Sequence, residues 1–164
     1  METSKVFESE VLIRFSDCDP FNHLNNSRYL DYFINAREDH LAERGFNLYQ
    51  LALEKGLGWV VSMNQVAYLK PAFLNETVVI ESTLLEMKEK EVLVEMRMWN
   101  KEKTILKSFM WTKVIHFNLK TQRTEVHSKE LEEFFRPLEN PLPIAMNFEE
   151  RLADVKNKTA PELR

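Results

Sequence analysis

The sequence predicts an α+β fold in which a five-stranded antiparallel sheet wraps around one long central helix, within a single domain. Residues 27–44 carry a helical pattern that is apolar around most of its circumference, which predicts a largely enclosed helix. One strand pattern precedes this helix and four follow it. The short connections between the later strands favour antiparallel hairpins, so one curled sheet is expected to cover the helix.

The first strand and the central helix are separated by a short polar loop. Residues 11–16 alternate between apolar and polar side chains, as in a strand that is covered on one face. Pro20 prevents a helix from beginning before it, and either Asn25 or Asn26 is the expected N-cap of the central helix. Gly45 suits the position that follows the end of this helix.

The rest of the chain predicts further strands and short helices. Helices are expected at 47–55, 130–136 and 147–157, and strands at 59–69, 77–87, 91–100 and 105–118. Strands this rich in aromatic and aliphatic residues predict pairing with another subunit. We assign residues 1–136 to the main domain, and residues 137–164 to a C-terminal loop and peripheral helix that is not a separate domain.

The composition excludes several classes of function. Lys and Arg total 22 against 26 Asp and Glu, so the basic surface that nucleic-acid binding requires is not expected. With three glycines, neither a dinucleotide fingerprint nor a phosphate-binding P-loop can be written. Cys18 is the only cysteine, which fits a reducing compartment, and no apolar run is long enough to cross a membrane. These features predict a cytoplasmic protein that binds neither nucleic acid nor membranes.

The most informative segment is residues 14–41, in which a strand runs into a polar loop and then directly into the central helix. This order places Asp17 or Asp19 close to a helix N-terminus, which carries about half a positive charge and several unpaired N–H donors. A carboxylate beside such donors suits the hydrolysis of a polarised carbonyl group. Cys18 lies between the two carboxylates, which raise the pKa of its thiol, so it is expected to pack rather than react.

Three other classes of protein do not fit this segment. A haloacid-dehalogenase phosphatase needs a hydroxyl residue where Phe21 stands and a later acidic pair for magnesium, yet the only aspartate after Asp39 is Asp154. A calcium-binding loop needs a glycine at Asn22 and an oxygen ligand at Phe21. A serine hydrolase needs Gly-x-Ser-x-Gly, which is absent. We therefore expect neither a metal nor a cofactor.

The same segment resembles a known family. The run RFSDCDPFNHLNNSRYLDYF, with the following Ala36 and Arg37, resembles the hot-dog-fold acyl-CoA thioesterases of the 4-hydroxybenzoyl-CoA thioesterase type. It is most similar to the bacterial long-chain branch with the motif R-x-x-D-x-D-x-x-G-H-x-N-N-x-x-Y, and residues 68–76, YLKPAFLNE, resemble its second signature. The resemblance covers residues 11–118. Asn22 stands where the family has glycine, and asparagine tolerates the left-handed backbone that this turn needs.

The resemblance implies a mechanism centred on Asp19, acting as general base on water or as nucleophile on the thioester carbonyl. The residues alone favour a structural role for Asp19, as an Asx-turn or capping aspartate before Pro20. Asp17 is expected to be structural, by pairing with Arg14 or by capping the loop. His23 either orients the substrate and tunes Asp19 or simply satisfies backbone carbonyls.

The remaining candidates are expected to hold the substrate. The helix start fixed by the two asparagines would polarise the carbonyl, the aromatic residues either line an acyl channel or form core, and the lysine would contact the carrier. These candidates are Asn25, Asn26, Tyr29, Phe33, Tyr68 and Lys70. The resemblance implies an acyl-CoA substrate and a homodimer or homotetramer in which residues 59–68 of a second chain close the site. An acyl-carrier-protein thioesterase and a non-catalytic acyl-CoA-binding module remain the alternatives.

Overall fold

The computed structural model describes residues 4–159 of the chain. Within these residues, the strands form one antiparallel sheet in the order β1-β3-β4-β5-β2, and a short β6 pairs with β5. The strands are β1 (Val6–Leu12), β2 (Leu57–Tyr68), β3 (Thr77–Met87), β4 (Glu91–Asn100), β5 (Leu106–Asn118) and β6 (Arg123–Thr124). The predicted α+β class and the antiparallel sheet are confirmed, and β6 is an addition to the five predicted strands.

Four helices pack around the sheet within the described residues, and short 3₁₀ turns accompany them. The helices are α1 (Tyr29–Glu43), α2 (Leu48–Lys55), α3 (Lys129–Phe135) and α4 (Phe148–Thr159). The 3₁₀ turns are Phe15–Asp17, Asn26–Arg28 and Arg136–Leu138. Each predicted helix is present with small shifts at its ends, and the long central one begins later than expected because a 3₁₀ turn precedes it.

The prediction for the first strand was wrong. Residues 11–16 were expected to form it, but β1 ends at Leu12 and a 3₁₀ turn begins at Phe15. Ile13 is fully buried and its N–H donates to the carbonyl of Glu76 at 2.9 Å, whereas Phe15 is 80% exposed. The alternation therefore continued past the strand end by coincidence, since only one of these two apolar residues reaches the core.

The central helix α1 lies against one face of the sheet and contacts β1 and β3. Its buried positions are Tyr29, Tyr32, Phe33, Ala36 and His40. Ile34, on the opposite side, remains 37% exposed. Within one chain, α1 is thus covered on one side, and the prediction that it is enclosed around most of its circumference was wrong.

The helix α4 covers the other face of the sheet. Val155 is buried there with Val79, Leu85 and Trp99. The Arg151 guanidinium donates to the Glu95 carboxylate at 2.8 Å, and burial leaves Glu95 only 2% exposed. Both contacts support the proposal that residues 137–164 form a peripheral segment and not a separate domain, although 160–164 lie outside the described residues.

The strand β2 forms one edge of the sheet. It pairs with β5 on one side, with an irregularity between Val61 and Met63, and no described strand pairs with its other side. Val60, Val61 and Met63 are 42%, 44% and 45% exposed. Among residues 4–159, we find no helix with the length and the apolar character needed to cross a membrane.

Candidate active site

The loop between β1 and α1 folds back on itself and docks against the turn that precedes β3. Cys18 bridges Leu24, His23 bridges Phe73, and the Asp19 N–H donates to the His23 carbonyl at 2.8 Å. Asn22 adopts a φ of 61° in the left-handed region. Asparagine tolerates this region, so the tight turn forms without the glycine of the family motif.

The carboxylate of Asp19 is held by its own loop. Its Oδ1 accepts the backbone N–H groups of Phe21 at 2.9 Å and His23 at 3.2 Å. Its Oδ2 has no hydrogen-bond partner among the described residues. Asp19 therefore makes the expected Asx-turn with one oxygen and keeps the other free to accept a proton or to attack an electrophile.

Asp19 also lines a small pocket at the N-terminal end of α1. The pocket has a volume of about 200 Å³. It is lined by Asp19, His23, Leu24, Asn26, Tyr29, Tyr68, Leu69, Lys70 and Pro71. The structure thus brings together candidates from both sequence signatures, which are about forty residues apart along the chain. Asn25 and Phe33 are not among the lining residues.

The helix start next to this pocket is built differently from the prediction. Asn25 Oδ1 accepts the N–H of Ser27 at 3.0 Å and its hydroxyl at 2.8 Å, so it caps the 3₁₀ turn Asn26–Arg28. The N-cap of α1 itself is Arg28, which makes no side-chain capping bond. The prediction that Asn25 or Asn26 caps the central helix directly was therefore wrong, because a 3₁₀ turn intervenes.

Two tyrosines form a wall of the pocket. The rings of Tyr29 and Tyr68 meet edge to face at 5.1 Å, and the Tyr68 hydroxyl donates to the Asn26 carbonyl at 3.2 Å. The Tyr29 hydroxyl accepts the Ala72 N–H at 3.3 Å, and burial raises the pKa of this phenol, so it stays neutral. Phe33 follows one turn later and is fully buried in the core.

Asp17, the first aspartate of the motif, holds the loop against α1. The Tyr32 hydroxyl donates to Asp17 Oδ2 at 2.7 Å and accepts the backbone N–H of Arg14 at 3.1 Å. Arg28 lies 3.9 Å from Asp17 Oδ1, so Asp17 pairs with Arg28 and not, as suggested, with the side chain of Arg14. Sequence reasoning missed Tyr32, although its position three residues after Tyr29 puts both phenols on one helix face.

Cys18 has the electrostatic environment that the sequence predicts. Desolvation raises the pKa of its thiol, and the charges of Asp17 and Asp19 raise it further. Its Sγ donates to the Arg14 carbonyl at 3.3 Å. Cys18 is therefore a poor nucleophile, as expected.

The turn that carries the second signature is pinned from a distant strand. Lys107, on β5, is 4% exposed; its Nζ donates to the Pro71 carbonyl at 2.9 Å and lies 2.8 Å from the Glu76 carboxylate. Glu76 also accepts the Phe73 N–H at 2.8 Å. Sequence reasoning missed Lys107, since no local pattern connects it to this turn. Between residues 4 and 159, no three His, Cys, Asp or Glu side chains gather into a metal-binding group.

Comparisons with known proteins point to one family. The sequence model of the thioesterase-like superfamily matches residues 13–153 of this chain. The acyl-CoA thioesterase YbgC of Haemophilus influenzae is 26% identical over 132 residues, which cover 80% of this chain and 96% of that protein. The long-chain acyl-CoA thioesterase FadM of Escherichia coli is 27% identical over 127 residues, covering 77% and 94%.

The fold is shared with solved structures at lower identity. A DHNA-CoA thioesterase from Staphylococcus aureus superposes with a TM-score of 0.73 at 15% identity, covering 95% of this chain and 96% of the other. A likeness at this identity shows the fold alone. It confirms the hot-dog fold expected from the sequence.

Proposed function

Because the chain belongs to the thioesterase-like superfamily, we propose that it is a thioester hydrolase that cleaves acyl-CoA into a free acid and CoA. The observation that carries this proposal is the carboxylate of Asp19. One of its oxygens is fixed by two backbone N–H groups, and the residue lines a pocket at the start of α1. A binding module would not require a pre-oriented carboxylate with an unpaired oxygen at that position.

Two routes are open to Asp19. As a general base, its carboxylate takes a proton from a water that attacks the thioester carbon, and the carbon–sulfur bond then breaks to release the thiol of CoA. As a nucleophile, it attacks the thioester carbon, the carbon–sulfur bond breaks to release the CoA thiolate, and water hydrolyses the resulting mixed anhydride to the free acid in a second step. Both routes need a carboxylate that is held in place, and the two N–H donors from Phe21 and His23 hold it.

The N–H group that polarises the thioester carbonyl is found by excluding the neighbouring N–H groups that already have partners. The Ser27 N–H is already accepted by the Asn25 side chain, and the Asn25 N–H by the Asp17 carbonyl. The Asn26 N–H has no partner among the described residues, and Asn26 lines the pocket. We therefore assign the oxyanion-stabilising donor to the backbone of Asn26, with Asn25 fixing the turn that aims it.

The other candidates take supporting roles in this proposal. His23 packs edge to face on Phe73 at 5.1 Å, which fixes its ring beside Asp19 for orienting the substrate. Tyr29 and Tyr68 wall the entrance, and the exposed Lys70 at the rim contacts the carrier. Phe33 is buried behind Tyr29 and supports the acyl channel from the core.

The site is completed by a second copy of the chain in this proposal. The unpaired edge of β2 carries the exposed apolar residues Val60, Val61 and Met63. An edge of this kind favours pairing with another strand. In a homodimer or homotetramer, residues 59–68 of the partner would close the pocket next to Tyr68.

A thiol-release assay over a panel of acyl-CoAs, with short, long and aromatic acyl groups, tests the proposal. We expect release of CoA by the wild-type chain and its near-complete loss in Asp19→Asn. If the chain hydrolysed only acyl carrier protein thioesters, the carrier in this proposal would be acyl carrier protein and not CoA. If the chain bound acyl-CoA tightly without hydrolysing it, the enzyme proposal would be wrong and the chain would be a non-catalytic binding module.

A further inference from the structure

A second cavity lies at the C-terminal half of α1 and has a volume of about 350 Å³. None of the residues that line it also line the Asp19 pocket. Tyr29 lines the pocket and Arg37 lines the cavity, and they are about 12 Å apart along the helix at 1.5 Å per residue. The cavity is therefore separate from the proposed catalytic site.

The walls of the cavity are almost entirely apolar. They come from α1, α2, α3 and the face of the sheet that α1 covers. The apolar side chains include Leu48, Leu84, Val92, Val94, Val114 and Phe135. A volume of this size lies at the lower end of the range for small-molecule sites, which are typically apolar with a few polar groups.

Arg37 is the one cationic side chain of this lining, and no acidic side chain is present in it. Burial lowers the pKa of the Arg37 guanidinium, and Glu38 opposes this only through its charge. Among residues 4–159, no hydrogen-bond or ion-pair partner reaches the Arg37 guanidinium. A guanidinium has five N–H donors, and partial removal from water without a partner is unfavourable.

His40, the one other side chain of the lining that can carry a positive charge, already has hydrogen-bond partners. Its Nδ1 lies 2.7 Å from the Ser82 hydroxyl and its Nε2 lies 2.9 Å from the Ser9 hydroxyl. Burial lowers the pKa of His40, so the imidazole is neutral at neutral pH. The positive charge of Arg37 is therefore unopposed within the lining, which favours an anionic ligand with an apolar body.

We propose that this cavity binds a free carboxylic acid with an aliphatic tail. The carboxylate accepts two N–H bonds from the Arg37 guanidinium, whose planar fork matches it. The tail lies between α1, α2 and the sheet. Such acids are the class that thioester hydrolysis releases, but binding at this cavity does not involve Asp19 and stands whether or not the chain is a hydrolase.

Isothermal titration of the full chain with sodium decanoate tests the proposal. We expect one binding site per chain, and Arg37→Gln weakens binding by at least about tenfold, because a charge-assisted pair is lost. Lys156→Gln removes one exposed positive charge from α4 and should leave binding unchanged. Absence of decanoate binding, or equal binding by Arg37→Gln, would overturn the assignment.

The position of the tail is tested separately. Ala52 lines the cavity from α2, whereas Ala153 is exposed on α4. Ala52→Phe should fill the cavity and abolish binding, and the matched Ala153→Phe should not. Unchanged binding by Ala52→Phe would overturn this position of the tail. Tighter binding by Asp19→Asn would place the acid in the Asp19 pocket instead, because the substitution removes a like charge from that pocket.

The wild-type chain gives a further test that needs no variant. Decan-1-ol has the same tail without the carboxylate, so it should bind at least about tenfold more weakly than decanoate. Equal affinities would contradict the role of Arg37, even if Arg37→Gln failed to fold. Far-ultraviolet circular dichroism on every variant identifies such failures.

Discussion

Replacing Asp19 by asparagine separates the chemistry of this side chain from its structural work. An asparagine has nearly the same shape, and its carbonyl oxygen can still accept the N–H groups of Phe21 and His23. The substitution removes the negative charge and the basicity of the oxygen that has no partner. We therefore expect Asp19→Asn to fold like the wild type, with Asn22 still in its left-handed turn.

The magnitude of the effect follows from what is lost. A positioned proton-transfer group contributes about 10²–10⁴ to the rate, so kcat should fall by about that factor. KM should change little, because the lost interaction belongs to the transition state. Asp19→Ala removes both hydrogen bonds as well, and at about 1 kcal/mol each the free energy of unfolding should drop by about 2 kcal/mol.

The assay follows thiol release from an acyl-CoA that the wild type hydrolyses, alongside thermal unfolding of each variant. Asp17→Asn is the matched control, since Asp17 bonds to Tyr32 and Arg28 rather than lining the pocket. It should act mainly on stability and leave kcat close to that of the wild type. A folded Asp19→Asn with near-normal kcat would refute the reasoning and reduce Asp19 to its Asx-turn.

The remaining predictions concern assembly, metals and pH. Val61→Lys on the exposed edge of β2 should shift the wild-type oligomer toward a 19.5 kDa monomer in sedimentation, whereas Leu53→Lys on the exposed side of α2 should not. Activity should survive exhaustive chelation, and its loss with recovery on adding one divalent ion would overturn the metal-free mechanism. Burial lowers the pKa of His40 and of His127, so both are neutral in the folded chain and stabilise it above the unfolded value of about 6.5. That stability is lost as the pH falls below about 6.5, because the unfolded chain binds protons before the folded chain does. The drop in Tm between pH 7.5 and 5.5 should therefore be smaller for His40→Gln than for the wild type. An equal drop in both proteins would contradict this prediction.

Local patterns predicted most of the sheet. The alternation and short connections of β3 and β4 set their ends as expected, since both signals lie within a few residues of the strand. The first strand failed because Ile13 is buried beyond the strand end, where a tertiary contact to Glu76 and not the period of a strand decides its position. The exposed side of α1 could not be foreseen either, because it depends on where the sheet stops.

The residues of the candidate site likewise fall into those that a local motif predicts and those that it does not. Asp19, His23 and Asn26 lie in one loop, so a single motif contains them, and the second signature contains Tyr68 and Lys70. The contact between Lys107 and the Pro71 carbonyl joins β5 to the turn before β3, and no spacing rule connects these two segments. Such contacts form only when the sheet closes over α1.

The sites at the two ends of α1 therefore differ in how far the sequence alone predicts them. At the N-terminal end, the loop makes its own hydrogen bonds, so the residues that hold Asp19 are neighbours of Asp19 in sequence. At the C-terminal end, the cavity beside Arg37 is assembled from three helices and five strands, and no acidic side chain among its lining residues pairs with Arg37. A motif search finds the first kind of site, whereas the second is found only by asking of each half-buried charge which group neutralises it.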